Sequence, residues 1–269
     1  MPAVGVDGLS ELAVAAAQGD TEALESLVAA VADDVYRLAL RMLWHPQDAE
    51  DATQEALVRI VTRVGSFRGE ASFRTWAYRV AANHLLNRKS RMERETLTFR
   101  RFAEDLHEGL ADHGAEGPDA RLLAEEVKLG CTLGMLLCLD REQRLAYVLG
   151  DVLGLSGDDA AYVCGITPAA FRQRASRARA ALRAFVAEHC GLVNAGSPCR
   201  CDRRVETAVR LGRVDPDRLL FAGAVAEMER LHDLGSLMRD HPDYRAPRAA
   251  ADRARDLIAS GRFRLLSQD

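Results

Sequence analysis

Apolar residues recur three and four positions apart along most of the chain, and this helical period limits the fold more than any other feature. Between residues 9 and 45, for example, Leu24, Leu27, Val31 and Val35 fall on one face of a helix. Nowhere do apolar and polar residues alternate over a length that predicts a β-strand. Aromatic residues make up only 6% of the sequence, which favours helices over sheets. The pattern predicts an all-α protein, and an apolar content of 48% suffices for a folded core. Among the predicted helices are one from Ser72 to about Glu95 and others around 202–211, 216–240 and 247–260.

Two glycine-containing stretches divide the helical pattern into segments. The first, 103–120, holds three glycines and Pro118 among acidic residues, which is typical of a linker. The second follows His189, where two glycines, one proline and three cysteines lie close together. We therefore predict a small helical domain, a linker, a second small helical domain and a helical C-terminal extension, with the bounds 9–100, 101–121, 122–187 and 188–269.

Charge is distributed unevenly, although the net charge of the whole chain is only −4. Residues 67–101 carry a net +6 and residues 166–187 a net +5, while residues 1–66 carry −7 and residues 102–165 carry −9. Affinity for phosphate depends on local charge, so two short cationic segments are enough for contact with nucleic acid. The alternative for either segment is a basic helix face exposed to solvent.

The segment 158–185 has the pattern of a DNA-binding helix-turn-helix. Gly165 supplies the turn, and Pro168 after Thr167 marks the start of the second helix. This helix is rich in alanine and carries five arginines and no acid, so it is narrow and cationic enough to enter a major groove. The alternative is an ordinary helical hairpin with an exposed basic face.

Aromatic and basic residues interleave between residues 67 and 91. Aromatic rings stack on unpaired bases while cations follow the phosphate backbone, so the segment predicts a surface for single-stranded nucleic acid. Asn83 and Asn87 fall one helical turn apart, where their amides can hydrogen-bond base edges. The alternative is that the residues spaced three and four apart, such as Trp76 and Val80, are simply core.

Three motifs, in this order and spacing, resemble the bacterial extracytoplasmic-function (ECF) sigma factors, the promoter-recognition subunits of RNA polymerase. Asp48-Ala-Glu-Asp-Ala-Thr-Gln-Glu-Ala-Leu-Val-Arg-Ile resembles the core of sigma region 2. Phe67-Arg-Gly-Glu-Ala-Ser-Phe-Arg-Thr-Trp-Ala-Tyr-Arg-Val-Ala-Ala-Asn resembles the motif that follows it in the family. The segment 155–179 resembles the helix-turn-helix of region 4. The resemblance covers about two thirds of the chain, residues 9–187, and leaves the C-terminal extension outside. Added C-terminal segments regulate activity in the family, so the resemblance implies a regulatory role for residues 188–269.

The resemblance implies a role for each motif. It implies that the first domain is sigma region 2, that the second is sigma region 4, and that the partners are promoter DNA and the β′ clamp and β flap of core RNA polymerase. An anti-sigma factor is a further partner known in the family. The residues implied to bind polymerase are Asp48, Glu50, Asp51, Gln54 and Glu55. Those implied to recognise and melt the minus-ten element are Phe67, Arg68, Phe73, Trp76, Tyr78, Arg79, Asn83, Asn87 and Arg88. Those implied to read the minus-thirty-five element are Arg172, Gln173, Arg174, Ser176, Arg177 and Arg179. The family usually has proline where Asp140 stands, and Ala170 and Ser176 also depart from its pattern, so the promoter sequence does not follow from the resemblance.

A second candidate site lies at the start of the extension. His189, Cys190, Cys199 and Cys201 supply four groups that zinc accepts as ligands, so a zinc ion is the one cofactor that the sequence suggests. The alternatives are a loop with incidental reduced cysteines and a thiol redox sensor. Cys131, Cys138 and Cys164 fall in apolar helical contexts, and we expect them in the core.

The sequence carries no catalytic motif that we recognise: it has no phosphate-binding glycine loop, no nucleophile elbow and no HExxH pair. We expect a promoter-specific transcription initiation factor that is not an enzyme. Without a membrane-spanning segment or an export signal, we expect it in the cytoplasm. Two other classes remain open at this point. A one-component regulator would use the helix-turn-helix alone, and a zinc-dependent hydrolase or redox enzyme would use the cysteine loop.

Overall fold

The structure, a computed structural model, describes residues 6–88, 97–217, 219 and 245–261. Within these ranges the regular structure is helical and no strand occurs, which confirms the predicted all-α class. The helices are α1 (Val6–Ala17), α2 (Thr21–Leu43), α3 (Pro46–Arg63), α4 (Phe73–Leu86), α5 (Phe99–His107), α6 (Ala120–Leu137), α7 (Arg141–Tyr147), α8 (Gly157–Cys164), α9 (Pro168–His189), α10 (Cys201–Arg210) and α11 (Arg248–Ser260). Single turns of other helix types follow α3, at Val64–Ser66, and α7, at Val148–Val152. None of the described helices is long and apolar enough to cross a lipid bilayer.

The chain forms two compact units that do not follow its order. One contains the described parts of 1–91, 155–172 and 244–269, and the other those of 92–154 and 173–243. The first unit thus contains α1 to α4, α8, α11 and the first turn of α9. The grouping differs from the predicted domain bounds because α8 packs against α4, and α11 against α2 and α3.

The core of the first unit is built around α2 and α3. The helix α2 begins at Thr21 because the Asp20 carboxylate accepts hydrogen bonds from the backbone N–H groups of Glu22 and Ala23, at 3.0 and 3.1 Å. Its predicted apolar face is buried. The helix α3 begins with Pro46 at its first position, and it presents mostly small side chains to its neighbours. Small side chains let helices approach closely, which is why α3 packs against α2, α4 and α11.

A buried arginine joins α6 and α7 in the second unit. The Arg144 side chain is only 2% exposed, and it donates hydrogen bonds to the backbone carbonyls of Leu136, Leu137 and Leu139, at 2.9, 3.2 and 3.1 Å. These carbonyls lie at the C-terminal end of α6, where a cation also complements the helix dipole. Asp140, which replaces the proline usual in the family, accepts a hydrogen bond from the Gln143 N–H and thereby caps α7.

The predicted linker 101–121 packs against other segments of the protein instead of running through solvent. Its first residues belong to α5, whose Phe102 ring stacks on Phe185 of α9 at 5.6 Å. Farther along, the backbone N–H of Ala111 donates to the Arg203 carbonyl at 3.2 Å, and the Arg204 guanidinium donates to the Glu108 carbonyl at 2.6 Å. The segment is therefore held against α10, the first helix of the extension.

Two predicted helices differ from the structure in their bounds or lie outside it. The helix predicted from Ser72 to about Glu95 ends at Leu86, where Asn87 caps it. The helix predicted at 216–240 lies outside the described residues, apart from the turn at 216–217 and residue 219. The helices predicted around 202–211 and 247–260 correspond to α10 and α11.

Replacement of Arg144 by methionine should destabilise the packing of α7 on α6 by about 2–4 kcal/mol, because three buried carbonyls would lose their donor. Amide hydrogen exchange of α6 and α7 measures this loss directly. Arg141→Met, one turn earlier on the less buried start of α7, is the matched control and should change exchange little. Equal deprotection by both variants would contradict the capping role of Arg144.

Candidate nucleic-acid and polymerase interfaces

The helix α9 presents a continuous basic face to solvent. Gly165, with a φ of 65°, turns the chain after α8, and the Thr167 hydroxyl accepts a hydrogen bond from the Ala170 N–H at 3.2 Å to start α9. The exposed face contains Arg172, Gln173, Ser176, Arg177 and Arg183. The opposite face is buried and contains Phe171, Ala175, Ala178, Leu182, Phe185 and Val186. Four of the six residues predicted to read the minus-thirty-five element therefore lie together on open surface.

The other two residues predicted to read the minus-thirty-five element form ion pairs with other residues of the chain. The Arg174 guanidinium lies 2.8 Å from the Glu142 carboxylate, and the Arg179 guanidinium lies 2.8 Å from the Asp151 carboxylate. Both arginines are partly buried. Their charge is thus already balanced, and in this conformation they contribute less to a phosphate-binding surface than their exposed neighbours.

The aromatic residues predicted to contact the minus-ten element form a cluster of their own. The centroid of the Phe67 ring lies 5.6 Å from that of Phe73 and 5.8 Å from that of Trp76, with the rings edge-on. Phe73 and Trp76 are buried, whereas Phe67 is half-buried. Tyr78 is also buried, and this burial raises the pKa of its hydroxyl. The alternative reading of these residues as core therefore describes the structure for Phe73, Trp76 and Tyr78, and only Phe67 reaches the surface.

The polar residues of the same segment are more accessible. Arg68, in the loop before α4, and Asn83 and Asn87, at the end of α4, are exposed. The Asn87 amide donates to the Asn83 carbonyl at 2.9 Å, so that Asn87 closes the helix while the side chain of Asn83 stays on its surface. Gly69, with a φ of 73°, allows the chain to turn between Phe67 and α4.

One side of α4 is covered by α8, the first helix of the helix-turn-helix. The Arg79 guanidinium lies over the ring of Tyr162, 4.5 Å from its centroid. The hydroxyl of Thr75 donates to the Asp159 carboxylate at 3.3 Å, and the same carboxylate accepts a hydrogen bond from Ser156 at 2.6 Å. Arg79 is thus engaged by an aromatic ring of the protein itself.

The acidic residues predicted to bind polymerase all lie on α3, and the protein itself already engages most of them. The Glu55 carboxylate is 2.8 Å from the Arg88 guanidinium, and Asp51 is 3.8 Å from it. Glu55 also lies 3.3 Å from His84, where burial lowers the pKa of the imidazole more than the carboxylate raises it. Asp48 is buried, and Glu50 is half-buried.

The last described helix, α11, packs against α3 and α2. The Gln54 side-chain amide donates to the Ala249 carbonyl at 2.9 Å, and the Ala246 N–H donates to the Asp33 carboxylate on α2 at 2.8 Å. Four apolar side chains of α11, those of Ala250, Ala251, Ala254 and Ile258, are buried. Their spacing of three and four is an amphipathic signal in the sequence, but the pattern does not identify α3 as the surface they cover.

The three cysteines of the extension lie near Cys131, a residue that we expected to lie in the core. Burial raises the pKa of the Cys131 thiol on α6, and the nearby thiols of Cys201, Cys199 and Cys190 raise it further. His189 points elsewhere, since its Nδ1 lies 3.2 Å from Nε2 of His107. Of the predicted group of four, the three cysteines thus lie within electrostatic range of Cys131, and His189 contacts His107 instead. Within the described ranges the cysteines are free thiols, and no three His, Cys, Asp or Glu side chains are placed to hold a metal ion.

Comparison with known proteins matches two parts of the chain to family models. The family model for Sigma-70 region 2 matches residues 27–95, and that for Sigma-70, region 4 matches residues 129–182. The ECF RNA polymerase sigma factor SigC of Mycobacterium tuberculosis is 36% identical over 182 residues, which are 66% of this chain and 91% of SigC. The chain belongs to the ECF RNA polymerase sigma factor family.

Other relatives agree. SigE of Mycolicibacterium smegmatis is 34% identical over 66% of this chain and 68% of its own length, and the RNA polymerase sigma-H factor of Pseudomonas aeruginosa is 31% identical over 61% and 86%. Among solved structures, CnrH in complex with the cytosolic domain of CnrY is 26% identical, covers 65% of this chain and 94% of that one, and has a TM-score of 0.47.

The sigma factor is a promoter-specific transcription initiation factor, as the sequence predicted. A regulator that uses only its helix-turn-helix does not explain the match to region 2, and the family membership excludes it. The extension after residue 187 lies beyond both matched regions.

Replacement of the exposed Arg177 by alanine should weaken binding to the upstream promoter element by roughly 1–3 kcal/mol, because a bidentate arginine contact to a base is lost. Arg174→Ala is the matched control. It removes a guanidinium that is paired with Glu142, so promoter affinity should fall by less than 1 kcal/mol. Fluorescence anisotropy of the holoenzyme on promoter DNA measures both values. Equal losses would show that exposure on α9 does not decide which arginines contact DNA.

Proposed function

We propose that the sigma factor divides promoter recognition between two surfaces. The exposed face of α9 reads the minus-thirty-five element, and the loop 67–73 together with the exposed end of α4 opens and holds the minus-ten element. The observation that carries this proposal is the segregation of α9 into a buried apolar face and an open face with Arg172, Gln173 and Arg177. A helix with this division can pack on its domain and enter a major groove at the same time.

The geometry around Phe67 supports a role in strand opening. Extraction of a base from a duplex costs a few kcal/mol, so a receiving pocket has to be formed in advance. The rings of Phe73 and Trp76 are buried and pack against Phe67, while Gly69 and the exposed Arg68 continue the loop beside it. We assign to the buried rings the support of this loop, and to Phe67, Arg68 and Asn83 the contacts with the unpaired strand.

The carboxylates of α3 suit a basic partner surface, which we propose to be the clamp of core RNA polymerase. Glu50, Asp51 and Glu55 supply negative charge on one helix, and the pairing of Asp51 and Glu55 with Arg88 tempers that charge in the free protein. The polymerase would carry out RNA synthesis, and this chain would supply promoter affinity and strand opening, so we propose no catalytic role for it. We place it in the cytoplasm, where polymerase and chromosome meet. An anti-sigma factor and contact with the β flap stay predictions.

Transcription in vitro with core RNA polymerase on a library of random promoters tests the proposed division. Asn83→Ala should preserve holoenzyme formation and slow the opening of the selected promoters about 10-fold or more, because a base contact is lost. Gln18→Ala, an exposed amide after α1, is the matched control and should leave opening unchanged. Loss of holoenzyme assembly in Asn83→Ala would assign α4 to polymerase binding instead.

A zinc ion in the extension is a second proposal, carried by the pattern of His189, Cys190, Cys199 and Cys201 in the sequence. We propose as ligands Cys190, Cys199 and Cys201, with Cys131 as a further candidate because its thiol interacts electrostatically with those three, whereas His189 lies against His107. Zinc would have to draw these groups together, since within the described ranges no three of them are placed to hold a metal ion. Zinc binds thiolates, and burial raises the pKa of Cys201 to about 12. Metal binding would therefore release protons, and the affinity should rise with pH. The alternative of redox-sensing thiols uses the same residues without a metal.

Metal analysis of the purified chain after dialysis against zinc tests this proposal. We expect one zinc per chain. Because the ligands bind as thiolates, the affinity should be higher near pH ~8 than near pH ~6. Cys199→Ser should lose the metal. Cys138→Ser is the control, because the Cys138 thiol bonds to the Gly134 carbonyl of its own helix, at 3.7 Å. The same zinc content in both variants, or none in the native chain, would leave the thiol sensor as the better account.

A further inference from the structure

The helix α11 covers the surface of α3 on which the proposed polymerase-binding residues lie. Its buried side chains, Ala250, Ala251, Ala254 and Ile258, repeat at three and four positions and form one face. The helices that α11 packs against are α3 and α2. Gln54, in the middle of the acidic motif, donates its side-chain amide to the Ala249 carbonyl in the first turn of α11. One of the five proposed polymerase contacts is thus bonded to the extension.

The approach to α11 is fixed at a second point. The backbone N–H of Ala246 donates to the Asp33 carboxylate on α2 at 2.8 Å, and Pro247 then starts the helix. A hydrogen bond to a carboxylate is among the stronger ones in proteins. Two anchors on two different helices, Asp33 and Gln54, set the position of α11 across α2 and α3.

The remaining acidic residues of α3 are partly exposed, but most of them are already engaged by the protein itself. Asp51 and Glu55 pair with Arg88, and Asp48 is buried. A basic partner would therefore meet α3 with α11 packed on it and with the negative charges of Asp51 and Glu55 already paired with Arg88. A partner that packs on α3 over Gln54 would have to displace α11.

The apolar side chains that α11 buries are mostly small. Three of its four buried apolar residues are alanines, which bury little apolar area each, so a partner that covers α3 with larger side chains can displace the helix. The exposed side of α11 carries Asp252, Arg253, Arg255 and Asp256, a balanced set of charges that keeps the released helix soluble.

We propose that α11 is an intramolecular competitor of core RNA polymerase, which holds the sigma factor inactive by covering α3 and is displaced when the holoenzyme forms. The proposal rests on the proposed binding of polymerase to α3. A site that is open only in part of the molecules binds with an affinity reduced by that fraction, so release of α11 raises the apparent affinity.

The test uses the full-length chain. Ala254→Glu places a carboxylate in the buried face of α11 and should release the helix, and Ile258→Ala should loosen it. We expect Ala254→Glu to bind core polymerase about 10-fold more tightly than the native chain, and Ile258→Ala to fall between the two. Ala259→Glu makes the same chemical change on the exposed side of α11 and should bind like the native chain.

Hydrogen exchange of the native chain provides a measurement that needs no variant. The amides of α11 should be protected in the free protein and should lose protection in the holoenzyme. Persistent protection of α11 in the holoenzyme would overturn the proposal. So would unchanged affinity of Ala254→Glu in a chain whose α11 amides have become unprotected.

A charge reversal on α3 separates this failure from failure of the proposed function. Suppose that Glu50→Arg abolishes polymerase binding while Ala254→Glu leaves it unchanged. Then α3 binds polymerase but α11 does not compete with it, and only the role proposed for α11 is wrong. If Glu50→Arg has no effect on binding, α3 is not the polymerase surface, and both proposals fall together.

Discussion

The small side chains of α3 are the constraint on which the first unit depends. Ala49, Ala52, Thr53 and Ala56 are buried, and the Thr53 hydroxyl is satisfied by the Ala49 carbonyl of its own helix at 2.7 Å. A helix with such a narrow surface admits close neighbours, and α2, α4 and α11 all pack against it. The residues that carry charge alternate with these small ones along the same helix. Packing and partner binding are therefore coupled on α3, since a helix that covers the small residues also meets the charged ones.

Internal pairing determines which of the charged residues are available. Along α9, Arg172 and Arg177 face solvent, while Arg174 and Arg179 neutralise Glu142 and Asp151. Arg79 of α4 rests on Tyr162, and Arg88, just after the end of α4, pairs with Asp51 and Glu55. The net charges of the two cationic segments thus overstate the positive charge that either segment offers to DNA in this conformation. The exposed arginines are the ones that matter for phosphate affinity.

The three sequence motifs of the family predicted the helices well, and the contacts between distant segments poorly. The start of α9 follows from Thr167 and Pro168, and the start of α2 from Asp20, because caps and fixed backbone angles act within one turn. Burial of Phe73 and Trp76 was open in the sequence, since an aromatic residue at helical spacing suits both a core and a stacking surface. The partner of Cys131 was hidden for a different reason: α6 and α10 are about 70 residues apart, and a thiol in an apolar helix carries no local sign of its neighbours.

The sequence alone determined the helical class and the order of the motifs, and it supplied the residues predicted to contact DNA, because these depend on period, capping and local charge. The tertiary structure decided which of those residues face solvent and which are engaged by the protein itself. Only the tertiary structure showed that α8 packs on α4 and α11 on α3. The apolar face of a short helix predicts that the face is buried, but not which segment buries it. The choice of what covers it is made by shape and by single hydrogen bonds, such as that from Gln54 to Ala249, between segments far apart in the chain.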